Sequence, residues 1–137
     1  TEVDPNTKNP VIDIMPDQKK KIEEEDYGAT MRLGAYPAIL KEGTIAQEAY
    51  GRDEISERHR HRYEVNPVFV EKISSGGLVF SATSPDRVLM EIAELPKDKH
   101  PFFLATQFHP EFQARPLNPH PLFSAFIKAA ADRKKKK

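Results

Sequence analysis

In Gln107-Phe108-His109-Pro110-Glu111-Phe112 a histidine and a glutamate stand two residues apart with a rigid proline between them. An imidazole acts as a general base when a neighbouring carboxylate fixes its tautomer and stabilises the imidazolium, the arrangement of nucleophile, histidine and acid triads. By spacing alone a His-x-Glu pair is equally the mark of a surface turn. Its position adds weight, because it follows an apolar run of strand length over 102–108, and catalytic groups in α/β sheets gather in loops at the carboxyl ends of strands. A second concentration of chemistry is Arg58-His59-Arg60-His61-Arg62. In a strand its arginines share one face and its histidines the other. A planar guanidinium suits the α-carboxylate of an amino acid, whereas an exposed strand with ordinary surface ion pairs is the plainer alternative. A non-catalytic reading takes His59 and His61 with Glu64 as ligands of a metal in a binding or interaction module, although three arginines repel a dication. The chain has no cysteine, so it supplies neither a thiolate zinc site nor a thiol nucleophile.

The elements that must position these residues are short. Val11-Ile12-Asp13-Ile14-Met15, stopped by Pro16, has the composition of a strand. The stretch 17–26 is almost entirely charged and is expected as an exposed loop or frayed turn. Beyond it, Met31, Leu33 and Ala38-Ile39-Leu40 suggest a strand pair around a turn at Gly34. Thr44 with Gln47 forms a capping-box signature for a short helix over 45–50 closed by Gly51. The segment 58–65 is too polar for a core strand and too regular for a loop. Asn66-Pro67 caps a helix running to Ile73 and ended by Gly76-Gly77. Two apolar runs, 78–82 and 88–95, flank Ser84-Pro85-Asp86 and predict a hairpin. The run 102–108 is expected as a buried central strand. Leu122, Phe123, Phe126, Ile127 and Ala130 recur at helical spacing and predict an amphipathic C-terminal helix.

Composition narrows the function classes. The 137 residues carry 21 basic and 21 acidic side chains, formally balanced, so no field of one sign draws the chain to nucleic acid or to an anionic membrane. No apolar run reaches the roughly 20 residues of a membrane span, and the first residues lack the features of a signal peptide, so a cytoplasmic protein is expected. The basic run Arg133-Lys134-Lys135-Lys136-Lys137 is expected to be a solvated, frayed tail over 133–137.

Taken together, Gly28-Ala29-Thr30-Met31-Arg32-Leu33-Gly34, the segment 57–66 and Gln107-Phe108-His109-Pro110-Glu111-Phe112, in that order, closely resemble the CTP synthases, as does the terminal His120-Pro121-Leu122-Phe123. The one small departure is Ala29, where that family more often has glycine. The resemblance implies that residues 1–132 form the C-terminal portion of a class I, triad-type glutamine amidotransferase domain, an α/β flavodoxin-like fold that is strand-rich with a C-terminal helix. It implies His109 as the base, Glu111 as its orienting acid, and Arg62 and Glu2 as ligands of the glutamine α-carboxylate and α-amino groups. It also implies an enzyme making CTP from UTP, ATP and glutamine, with a cysteine nucleophile in a Gly-x-Cys-x-Gly elbow about 20 to 25 residues upstream of Thr1. ATP and magnesium would then belong to a synthetase domain partnering this segment, with no cofactor in the segment itself, and the whole enzyme would be a homotetramer. The segment alone would be inactive.

Overall fold

The computed structural model describes residues 1–14 and 31–135, and a curled antiparallel sheet organises them. Strands β2 (Arg32–Leu40), β3 (Glu54–His61), β5 (Val79–Thr83), β6 (Met90–Glu94) and β7 (Leu104–Thr106) lie in the order β3-β2-β5-β6-β7. A separate two-stranded ladder joins β1 (Ile12–Asp13) to β4 (Glu64–Val65). Helices α1 (Ile45–Tyr50), α2 (Pro67–Ser75) and α3 (Pro121–Lys135) and a 3-10 turn at Pro110–Phe112 complete the described elements. The charged stretch 17–26 and the Gly28-Ala29-Thr30 part of the first motif lie outside the described residues.

The local signals explain most of these boundaries. Thr44 Oγ1 accepts a hydrogen bond from the Gln47 backbone N–H at 3.2 Å, and Gly51 closes α1 with φ +64°. The reciprocal half of the capping box does not form, because the Gln47 side chain donates instead to Asp53. The buried Glu94 carboxylate takes over, accepting from the Ile45 and Ala46 N–H groups at 2.7 and 3.1 Å and satisfying first-turn donors that a helix otherwise leaves open. Asn66 caps α2 by accepting from the Val68 N–H, and the helix runs to Ser75 rather than stopping at Ile73. The predicted hairpin is β5 and β6, paired antiparallel.

Several expectations are corrected. The residues around Gly34 are not a turn between strands but part of the nine-residue β2, in which Gly34 adopts φ +104° and keeps its register opposite His59. Of the early strand expected over 11–15, the described residues form the two-residue β1, and Met15 lies outside them. The segment 58–65, too polar by composition for a core strand, supplies the second half of β3 and all of β4, and the inward side of β3 buries Glu57 and His59 beside Ile55. The run 102–108 is not a central strand; it yields the three-residue edge strand β7. Its hydrophobicity serves anchoring instead, with Phe108 buried in the core and the Phe102 ring 5.6 Å from that of Phe126 on α3. The helix α3 extends through Lys135, taking in part of the basic run read as a tail.

The apolar core gathers Ala38, Leu40, Ile55, Ala82 and Ile92 from the sheet with Ala46 of α1 and Leu122 of α3. Of the amphipathic stripe on α3 only Leu122 is buried, while Phe123, Phe126 and Ile127 stay exposed. The sheet curls until its two edges meet. Just beyond β7, the Gln107 N–H still donates to Glu91 of β6, while two residues on the His109 N–H donates to Arg58 O of β3, each at 2.9 Å. This closure brings the Arg58–His61 stretch against the segment that carries His109.

Candidate active site

His109 occupies the position before a single 3-10 turn, Pro110–Phe112, and three contacts fix it there. Phe108 is buried in the core, Thr106 Oγ1 donates to Phe108 O at 2.9 Å, and the His109 N–H is held by β3. At the end of the turn, the Gln113 amide donates to Ser56 O and to Glu57 Oε2, so the loop is pinned to β3 on both sides of the histidine. Within this short turn His109 Nδ1 lies 2.7 Å from Glu111 Oε1. An ionised carboxylate only accepts, so Nδ1 carries the proton and Nε2 keeps its lone pair. Among the described residues nothing engages Nε2. The Phe112 ring stacks on the imidazole, 5.0 Å between centroids at 16°, limiting its rotation. The Glu111 carboxyl is held below the usual carboxylate range by its own backbone N–H first and then by His109, so it remains an acceptor in mildly acidic solution.

Arg62 stands in the bend between β3 and β4, partly buried, and Tyr63 follows it. The Gln107 amide donates to Tyr63 O at 2.6 Å, tying this bend to the His109 segment. Glu2 is exposed. Its neighbour Thr1 bonds to Ile12 O and Asp13 Oδ1, and β1 pairs with β4, so Glu2 and Arg62 flank the same small ladder.

Behind Arg62 lies a buried polar cluster that sequence reasoning did not assemble. Arg32 places its guanidinium 2.8 Å from Glu91 and 3.4 Å from Glu64. Glu91 reaches this face because β5 and β6 carry compensating bulges: Thr83 and Ala82 pair with Met90 and Ile92, leaving Glu91 as the extra residue. His59 and His61 point inward beside it, with His59 Nδ1 2.8 Å from His61 Nε2. Burial, then the Arg32 charge, pulls the two imidazoles down to about 3 and about 4, so both are neutral at ordinary pH. Burial pushes Glu64 up to about 7, since one guanidinium serves two buried carboxylates. The metal-ligand reading of His59 and His61 fits poorly here, because the rings spend nitrogens on each other. Among the described residues no group of three or more His, Asp or Glu is arranged to hold a metal ion.

A second buried cluster centres on Glu57. Its Oε1 accepts from Tyr50 OH at 2.7 Å and from His120 Nε2 at 2.9 Å, while Oε2 accepts from Gln113. Glu57 and His120 are 63 positions apart, which leaves no linear signal of their pairing.

The pattern of the family described as Glutamine amidotransferase class-I matches residues 7–129. The chain belongs to the class-I glutamine amidotransferase family. It is 57% identical over 131 residues to a CTP synthase of Nocardia farcinica and 56% identical over 134 residues to one of Rhodococcus jostii, covering 95% and 97% of this chain. The chain spans only 23% of the length of each of these relatives. Among solved structures it resembles the Trypanosoma brucei CTPS glutaminase domain with bound acivicin, at a TM-score of 0.81 and 34% identity, covering 93% of this chain and 48% of that one. The α/β class I amidotransferase fold with a C-terminal helix is therefore the architecture of this chain.

Proposed function

We propose that this chain is the acid/base portion of the glutaminase site of a CTP synthase. The observation that carries the reading is the His109 Nδ1 to Glu111 contact of 2.7 Å, which leaves Nε2 open on a rigidly anchored loop. The nucleophile is a cysteine thiol outside this sequence, which has no cysteine of its own. His109 Nε2 takes the thiol proton as sulfur attacks the glutamine carboxamide carbon, then returns it to the departing ammonia. A γ-glutamyl thioester remains. Water, deprotonated by the same Nε2, attacks the thioester carbon, glutamate departs as the C–S bond breaks, and the proton returns to the cysteine sulfur, while Glu111 stabilises the imidazolium at each stage. Arg62 clamps the α-carboxylate and Glu2 receives the α-ammonium. The ammonia passes to a synthetase portion that activates UTP with ATP and magnesium. Without the thiol, this chain alone turns over no glutamine.

The clamp is tested by glutamine titration of the intact enzyme carrying Arg62→Lys, Arg58→Lys or Arg60→Lys. Lysine offers a point charge in place of a two-point donor, so Arg62→Lys should raise the glutamine KM about ten- to hundredfold with a smaller change in kcat. An unchanged KM for Arg62→Lys, with a raised one for either neighbour, assigns the clamp elsewhere.

A further inference from the structure

We infer that Gln107 is a positioning residue, the partly buried end of a one-way relay that sets the Arg62 bend against the His109 loop; the inference rests on the proposed glutaminase site. The Gln107 side chain reaches two acceptors. Its Nε2 donates to Tyr63 O at 2.6 Å, beside Arg62, and lies 3.0 Å from His61 Nδ1. The amide has two protons, one for each.

Proton direction along the cluster decides whether that arrangement is fixed or accidental. If His61 Nδ1 accepts from Gln107, His61 Nε2–H donates to His59 Nδ1 at 2.8 Å, and His59 Nε2–H faces Glu91 Oε2 at 3.7 Å. Both Gln107 protons and the His61 Nε2–H then meet acceptors, while the His59 Nε2–H faces the Glu91 carboxylate beyond hydrogen-bond reach, and the other oxygen of that carboxylate is 2.8 Å from Arg32. The opposite direction has His61 Nδ1–H donating to Tyr63 O, 3.1 Å away. It turns both rings round, leaves the second Gln107 proton facing an N–H, and points the bare His59 Nε2 at a carboxylate oxygen. The first direction wins, because it gives each Gln107 proton its own acceptor, so that the adjacent His61 Nδ1 and Tyr63 O are both satisfied, and it turns an N–H rather than a bare lone pair toward the Glu91 carboxylate. Arg32 and Glu91 therefore fix both tautomers, and the tautomers orient the Gln107 amide toward Tyr63 O. Gln107 is two residues before the proposed base and grips the residue after the proposed clamp, so the relay sets their separation.

Gln107→Glu keeps length and shape but removes both donors, and Gln107→Leu removes the polar group altogether. In the intact enzyme both should raise the glutamine KM about tenfold, the effect of losing one or two partly buried hydrogen bonds that hold the clamp, with kcat changed less than about threefold. Ammonia-dependent CTP formation reports folding. Wild-type KM for Gln107→Glu shows that the side chain only fills space and overturns the inference, as does parallel loss of glutamine- and ammonia-dependent rates in both variants, which makes Gln107 structural. His109→Ala, measured alongside, separates the two levels: if it retains glutamine turnover, the proposed site itself fails; if it loses turnover while the Gln107 variants keep the normal KM, only the relay fails.

Discussion

Of the histidine–glutamate contacts among the described residues, the two of hydrogen-bond length stand in opposite settings. His109 meets Glu111 at 2.7 Å on an open loop, and His120 meets Glu57 at 2.9 Å in the interior. The difference lies in the second ring nitrogen. His120 uses Nε2 on Glu57 and Nδ1 to accept from the Leu122 N–H at 3.3 Å, capping α3, so both nitrogens are committed. Glu57 is equally committed, to Tyr50, His120 and Gln113, and burial together with the Glu57 hydrogen bond pushes the Tyr50 phenol upward so that it stays a donor. His109 instead commits Nδ1 to Glu111 and leaves Nε2 without a partner among the described residues. A histidine–carboxylate pair is therefore able to act as a general base only where the ring keeps an accessible lone pair; where both nitrogens are engaged, it is a fastener between elements.

The comparison can be broken at either pair. The largest effect is expected from His109→Ala in the intact enzyme, where glutaminase turnover should fall by roughly 10³-fold or more, as when a triad histidine is lost, with little change in the unfolding midpoint. His120→Ala should behave in reverse. Removing a buried donor from Glu57 together with the α3 cap costs about 2 to 4 kcal/mol in denaturant unfolding, while the folded enzyme keeps its glutamine kcat/KM within a few-fold. A large kinetic loss from His120→Ala without destabilisation would erase the distinction. A smaller effect is expected from Glu111→Gln, because the carboxylate is exposed and its amide can still accept from Nδ1: about ten- to hundredfold in kcat, with KM near normal.

The smallest effect sharpens the picture of the interior. Glu64 titrates near 7 when folded against an ordinary value of 4.5, so the folded state holds its proton more tightly. Its contribution to stability is present at acid pH and is lost as pH rises through that window. Glu64→Gln, which does not titrate, should therefore gain on the unmodified protein between pH 5 and pH 8 in paired unfolding measurements. A difference that stays flat or runs the other way would mean that Arg32 keeps Glu64 ionised throughout.

What was legible in the sequence follows the range of the interactions. Caps and turns act over a few residues, so Thr44, Gly51, Asn66 and the β5–β6 hairpin could be read directly. The 102–108 run misled because hydrophobicity reports burial rather than place in a sheet, and Phe108 is buried as an anchor beyond an edge strand. The alternation of arginine and histidine in β3 was legible, but the burial of the histidine face was not. That burial depends on Arg32, Glu91 and the bulge that turns Glu91 inward, which come together only in the fold. The proposed base and acid lie two residues apart and could be singled out from the sequence; the relay through Gln107 and the Glu57 fastener needed the curled sheet.

The central claim is that His109 serves glutamine hydrolysis and nothing else. Its most direct test is CTP formation by the intact His109→Ala enzyme, measured with glutamine and then with ammonia as the nitrogen source. Ammonia bypasses the thioester step, so the account predicts that glutamine-dependent synthesis disappears while ammonia-dependent synthesis stays near the unmodified rate. An equal loss with both nitrogen sources would contradict it, placing His109 in the structure or in the coupling between the two activities.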